Sequence, residues 1–203
     1  MENFIEQYWV DDNTIDCLSE LANNCNGAGL LQPGKIGVDG QVDTTLKNCY
    51  EVNISQVPPQ VCGDQFISYG LDDYKGHLMN AIEKYSHKYM SDLPMCPTGA
   101  PKIQWYPPGG AYFAEHFDNG MEHDHRQIAF ITYLTDHEEG GETTFVHQNY
   151  KVKPQKGKTI FFPAGFTHKH KSEPIDARKG EHRVIITGWF QFFTALDETR
   201  PHR

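Results

Sequence analysis

Apolar positions along the chain change their period once, near Pro94. Before that point they recur at helical spacings. Within residues 11–24, DDNTIDCLSELANN, Ile15, Leu18 and Leu21 form one stripe behind Asp and Asn residues suited to N-capping, which predicts a short amphipathic helix. From Asp64 to Met90, Phe66, Ile67, Leu71, Leu78, Ile82 and Tyr85 recur at mixed helical spacings interrupted by Gly70 and Gly76. That pattern predicts one long helix or two consecutive ones, packed as a support layer. Residues 25–60, with several Gly, Asn and Asp and little period, read as irregular with room for one short strand.

After Pro94 the turn-rich segment MCPTGAP leads into short β-branched and aromatic runs separated by Gly, Pro and Asn. The runs are Ile103–Tyr106, Ala111–Phe117, Gln127–Leu134, Thr143–Val146, Lys151–Val152, Thr159–Phe162, Thr167–His170 and Arg183–Phe193. Short strands at this spacing predict a sandwich or barrel of β-hairpins. No repeat, low-complexity tract or linker divides the chain. The expected organisation is a single domain, 1–203, mainly β with flanking helices (α+β). Residues 1–100 form a helical and irregular support region, and 101–195 the β core that carries the site.

Composition narrows the function classes. The 203 residues carry a formal charge of −9 and contain no apolar run long enough to span a bilayer. Nucleic acid and membrane surfaces are therefore not expected partners. The first ten residues lack a basic segment followed by an apolar run, so export is not expected either. Five cysteines, an odd number with no C-x-x-C spacing, read as reduced thiols of a cytoplasmic protein. Eleven histidines are the unusual feature, and seven fall between His116 and His170.

His116-Phe117-Asp118 ends a predicted strand, and residues two apart on a strand point to the same side, so one imidazole and one carboxylate can reach one ion. A second, distant histidine would complete a 2-His-1-carboxylate triad with open positions, which suits Fe(II). The segment 157–170 reads as strand, Pro-Ala-Gly turn, then a strand on which His168 and His170 share a face; either could be the third ligand. Arg183 opens the apolar strand RVIITGW, and its rigid fork of donors matches a carboxylate.

Taken together in order, these segments resemble the catalytic core of prolyl 4-hydroxylase-like 2-oxoglutarate/Fe(II)-dependent dioxygenases. Tyr106-Pro107-Pro108-Gly109-Gly110 leads to Tyr112 and His116-Phe117-Asp118-Asn119. Ile131–Thr135 follows, then the double-glycine turn Glu139–Thr143 with Phe145, and Val152-x-Pro154-x-x-Gly157. His170 lies four residues before Pro174, and Arg183 six before Trp189. The resemblance spans 103–193 and implies a double-stranded β-helix, a jelly-roll barrel related to cupins, with iron at its mouth. It implies His116, Asp118 and His170 as iron ligands, Arg183 on the far carboxylate of 2-oxoglutarate, and hydroxyl contacts to it from Tyr133 and Tyr106. Collagen-type members usually carry a lysine at the place of Arg183; the donor changes, the role does not. The implied reaction uses Fe(II), 2-oxoglutarate and O2, with ascorbate as reductant, to hydroxylate an unactivated C–H. A prolyl residue of a peptide or protein is the favoured substrate, and succinate and CO2 are released. The acidic surface suits a basic protein partner.

Other readings attach to particular residues. His168 also fits the second metal motif of cupins, but His123-Asp124-His125 lacks the glycine and glutamate of the first. A cupin-type enzyme without 2-oxoglutarate and a non-catalytic binding module on the same fold are thus the alternatives. His123 and His125 read as a solvated loop at the site mouth, His137, His147 and His182 as surface groups. Glu142 and Thr143 read as hairpin residues. Asn119 is either a turn residue or a support for the Asp118 carboxylate. Trp105, Tyr112 and Trp189 are candidate substrate contacts, with Phe113 beside them.

Overall fold

The computed structural model describes residues 2–37, 40–62, 65–109, 111–120, 123–175 and 180–193. Asp64, Gly110, residues 121–122 of the histidine-rich loop, residues 194–195 and the Phe66 side chain lie outside the described set.

Helix α1 (Asp12–Gly27) starts where Asp11 accepts hydrogen bonds from the Thr14 amide and hydroxyl, at 3.1 and 2.7 Å. Those bonds and the His77 ring beside it hold the Asp11 carboxyl down to about 2. The apolar stripe of α1 buries Ile15, Leu18 and Leu21 as predicted. Two consecutive helices, α2 (Pro59–Cys62) and α3 (Gln65–Tyr89), follow. The two interrupting glycines of α3 differ in kind. At Gly70 a Cβ would lie 2.3 Å from Cys17 Cβ, so this glycine permits the close approach of α3 to α1, whereas Gly76 has nothing within 4 Å.

The helices cover one face of a large antiparallel sheet. Among the described residues its strands are β1 (Glu6–Trp9), β2 (Gln32–Pro33), β3 (Tyr50–Asn53), β4 (Met95–Pro97), β5 (Lys102–Tyr106), β7 (Ile128–Tyr133), β10 (Lys158–Pro163) and β12 (Arg183–Phe192). Their order is β1-β10-β7-β12-β5-β3-β2, with β4 pairing β12. A smaller sheet runs β6-β11-β8-β9, from β6 (Phe113–His116), β8 (Thr143–Phe145), β9 (Tyr150–Val152) and β11 (His170–Ser172). The two sheets enclose a jelly-roll interior, the double-stranded β-helix the sequence suggested.

Strand alternation divides two cores. Ile128 and Phe130 of β7, Phe161 of β10 and Val184 and Ile186 of β12 pack toward the helices. Ala129, Ile131, Tyr133, Ile160, Phe162 and Ile185 pack into the barrel. Tyr74 of α3 fastens the layers by its hydroxyl, 2.7 Å from Thr132 Oγ1, which lies 2.8 Å from Thr159 Oγ1.

Three expectations need correction. The support region supplies strands β1 to β4 to the large sheet, and both β2 and β3 fall within 25–60, where one short strand had room. MCPTGAP contains β4, paired to the far end of β12. Residues 166–168 form a 3-10 turn rather than a strand, because Gly165 starts a tight turn closed by the His168 amide on Gly165 O at 2.9 Å.

Candidate metal and 2-oxoglutarate site

A cavity of about 410 Å³ opens between the sheets. Alternation decides what lines it: Arg183, Ile185, Thr187 and Trp189 from β12, Lys102, Gln104 and Tyr106 from β5. His116 and Asp118 approach from β6 and its following turn, and His170 and Ser172 from β11.

The three residues form a metal-competent cluster. One ligand atom from each of His116, Asp118 and His170 lies within 4.8 Å of the others. His116 Nδ1 lies 2.8 Å from Ala114 O and His170 Nδ1 3.0 Å from His168 O. Since a carbonyl only accepts, each Nδ1 carries the proton and each Nε2 keeps a bare lone pair. Those Nε2 atoms stand 3.7 Å and 3.8 Å from Asp118 Oδ1 and Oδ2. Two neutral imidazoles and a carboxylate converging in this way fit a divalent iron ion. Burial, and then the neighbouring His170, push the His116 imidazole down to about 4, which favours its neutral form.

Backbone and ring contacts fix the cluster. Asp118 N and Asn119 N both donate to Ala164 O at 3.0 Å, tying the Asp118 turn to the Pro-Ala-Gly turn. Phe113 stacks on His116 with centroids 3.6 Å apart, and Phe162 meets His170 edge-on at 4.8 Å.

Arg183 is 1% exposed and, among the described residues, carries no carboxylate partner. Its Nη1 donates to Ser172 Oγ at 2.8 Å and its Nη2 to Thr143 Oγ1 at 3.3 Å, while Nε is buried without a partner. Gly141, at φ +70, leaves room for the side chain, since a Cβ there would stand 3.1 Å from Arg183 Cδ. The double-glycine turn thus serves the site as well as the hairpin. A buried guanidinium held by two neutral hydroxyls, with a donor to spare, fits an incoming carboxylate.

The other candidates separate cleanly. Tyr106 faces the cavity, its hydroxyl donating to Gln104 Oε1 at 3.0 Å, and burial raises its phenol well above the usual range. Tyr133 is fully buried behind Thr143, hydroxyl to hydroxyl at 2.6 Å, and its phenol is also raised by burial. Trp189 lines the cavity. Trp105 alternates with Tyr106 and faces outward, its Nε1 donating to His182 Nδ1 at 2.7 Å, so it does not line the cavity. Tyr112 is also outside, its hydroxyl donating to Thr45 O.

His168 is excluded from the cluster because its Nε2 is held by Asn3 O at 2.9 Å, beside β1. Asn119 takes the turn role: its Nδ2 donates to Arg126 O at 2.6 Å and Asp124 O at 3.1 Å, not to Asp118. His137 is buried, contrary to the surface reading, with Nε2 3.1 Å from His182 O. The sequence reading passed over Thr143 as a site residue and missed Ser172 and Arg126. Ser172 shares a face with His170, a signal that was present.

Residues 101–191 match the 2OG-Fe(II) oxygenase superfamily. None of the curated proteins compared with the chain matches it. Solved structures do. A Trichoplax adhaerens prolyl hydroxylase in complex with a hypoxia inducible factor peptide fragment has a TM-score of 0.76 at 14% identity, over 98% of this chain and 88% of that one. A Pseudomonas putida prolyl-4-hydroxylase has a TM-score of 0.63 at 20% identity, over 93% of each chain. The viral collagen prolyl hydroxylase of Paramecium Bursaria Chlorella virus-1, as its 2OG complex, has 0.65 at 20% identity, over 94% and 97%. At these identities the likeness is one of fold.

Proposed function

We propose that the chain, whose residues 101–191 match the 2OG-Fe(II) oxygenase superfamily, is a prolyl 4-hydroxylase-like dioxygenase that hydroxylates a prolyl residue of a peptide or protein. In this reading His116, Asp118 and His170 hold the iron and Arg183 pairs with the far carboxylate of 2-oxoglutarate. The observation that carries the reading is the pairing, in one cavity, of the three-residue cluster with a buried guanidinium that has no carboxylate partner among the described residues.

Bound together, Fe(II), 2-oxoglutarate and O2 supply the oxidising chemistry: one oxygen atom leaves in succinate, the other as the new hydroxyl, with CO2 released. The protein's residues hold and orient. The Ala114 and His168 carbonyls keep both Nδ1 atoms protonated and both Nε2 atoms available. Ser172 and Thr143 aim the Arg183 fork. Tyr106 presents its hydroxyl on the same wall, and Tyr133 supports Thr143 from behind. Ile131 and Ile185 give the cavity apolar walls that exclude water from the reacting centre. No side chain need act as general base.

Ascorbate is the reductant we propose for restoring oxidised iron. Among the described residues no helix is long and apolar enough to cross a membrane, and none of the cysteines forms a disulfide, which supports a cytoplasmic location. The cupin alternative loses support because both ring nitrogens of His168 already have partners, Thr167 Oγ1 and Asn3 O.

The test is turnover of Fe(II), 2-oxoglutarate and ascorbate with a panel of prolyl peptides under air, followed by mass spectrometry. Succinate formation with the gain of one oxygen on a prolyl residue supports the proposal. Succinate formed while every prolyl peptide stays unmodified removes proline as the substrate and leaves the oxygenase class intact.

A further inference from the structure

The protein is acidic overall, yet its cavity is not. Lys35, Lys47, Lys102, Arg126, Lys171 and Arg183 line it against Glu115 and Asp118. Several of these cations are already matched. Lys47 is buried against Glu51 at 2.6 Å, Lys102 reaches the same carboxylate at 3.4 Å, and Lys171 pairs with Glu173 at 3.3 Å. Arg183 is assigned to 2-oxoglutarate. Among the described residues neither Arg126 nor Lys35 forms an ion pair, although the Asp118 carboxylate attracts the Arg126 charge through space.

Arg126 is the more specific of the two. Its guanidinium carbon lies 3.6 Å from the centroid of the Trp189 ring, so the side chain is stacked and its fork pre-set. Nη1 donates to Asp118 O at 3.3 Å, which places the group beside the iron-binding turn. Arg126 Nε and Trp189 Nε1 are both buried with no acceptor. Buried donors without partners carry a desolvation cost that an incoming acceptor relieves.

We propose that Arg126, stacked on Trp189 and assisted by Lys35, binds a carboxylate of the substrate, so that the enzyme selects acidic peptides. The proposal rests on the peptide-hydroxylase reading and names its substrate class. It reverses the inference of a basic partner from net charge, because a charge of −9 spread over the surface says little about a cavity whose unmatched charges are positive.

The test uses the Fe(II)- and 2-oxoglutarate-loaded enzyme without oxygen and three prolyl peptides that differ only in the residues flanking proline: Asp, Asn or Lys. Calorimetry at low and high salt gives the dissociation constants. We expect the Asp peptide to bind about tenfold or more tightly than the Asn peptide, as a charge-assisted pair requires, with the gap narrowing in high salt. Arg126→Gln should reduce that preference to about twofold or less, and Arg126→Lys, which keeps the charge and loses the fork, should restore part of it. Lys35→Gln should weaken the salt dependence and tests the same idea without touching the Trp189 stack. Equal binding of the Asp and Asn peptides by the wild type, tighter binding of the Lys peptide, or no binding of the Asp peptide overturns the proposal. The prolyl reading fails separately: the Asp peptide would then bind selectively but gain no oxygen when air is admitted.

Discussion

His116 and His170 are cross-strand partners, paired in antiparallel register between β6 and β11 with ring centroids 4.3 Å apart. The cluster therefore forms only where the small sheet is correctly registered. A slip of one residue on β11 would turn His170 away from Asp118 and bring Lys171 in.

That pairing distinguishes the two neighbouring histidines. His170→Ala should lower Fe(II) affinity at least about 100-fold, beyond the range typical of outer-shell changes. His168→Ala should leave affinity near wild type, because it is the His168 backbone carbonyl that holds His170. It should cost about 1 kcal/mol of stability through the lost bond to Asn3 O. Titration of the metal-free proteins with Fe(II) under anaerobic conditions checks both, and the opposite pattern would favour the cupin reading.

The helix pair offers a stability test remote from the site. Gly70→Ala places a Cβ against Cys17 and should destabilise by about 1–3 kcal/mol through overpacking. Gly76→Ala meets nothing and should stabilise by up to about 1 kcal/mol from helix propensity. Urea melts of the two variants should move in opposite directions.

Asp11 gives a pH-dependent one. Its carboxyl is lowered from 3.8 to about 2 by the Thr14 hydrogen bonds and by His77. A depressed carboxyl stabilises the fold above its unfolded value, and that contribution is lost as pH falls through the folded one. Asp11→Ala should cost about 1 kcal/mol near neutrality as a lost N-cap. The gap between wild-type and variant urea midpoints should narrow as pH drops from about 4 toward 2; a gap that persists at pH 2 would mean the carboxylate charge is not what matters.

Legibility in the sequence followed the strength of the local pattern. The strand at Ile128–Tyr133 is buried on both faces and stood out within the β-branched and aromatic run Gln127–Leu134. Edge strand β1, EQYW, is four residues long with Trp9 58% exposed, and it takes its strand form from pairing with β10 rather than from its own composition. That His116, Asp118, His170 and Arg183 would meet in one cavity was readable because their order and spacing are distinctive. Arg126 was not, since a lone arginine in a polar loop looks solvated until Trp189 is placed beneath it. Trp105 was a candidate substrate contact, and alternation with Tyr106 places it instead in the core on the helix side of the sheet. His137 looked exposed beside turn residues, but it is buried with its Nε2 against the His182 carbonyl, just before β12.

The central claim, that this cavity holds iron and 2-oxoglutarate together through these residues, is tested most directly by the visible charge-transfer band of the chelate. The metal-free protein is given Fe(II) and then 2-oxoglutarate without oxygen, as wild type, His170→Ala, Arg183→Ala and Arg183→Lys. Losing the Arg183 side chain should cost about 2–5 kcal/mol of 2-oxoglutarate binding, a shift of at least about thirtyfold in the concentration needed. The account predicts a band in wild type, none in His170→Ala, that shift in Arg183→Ala and partial recovery in Arg183→Lys. Iron bound to the wild type with no band on adding 2-oxoglutarate would contradict it.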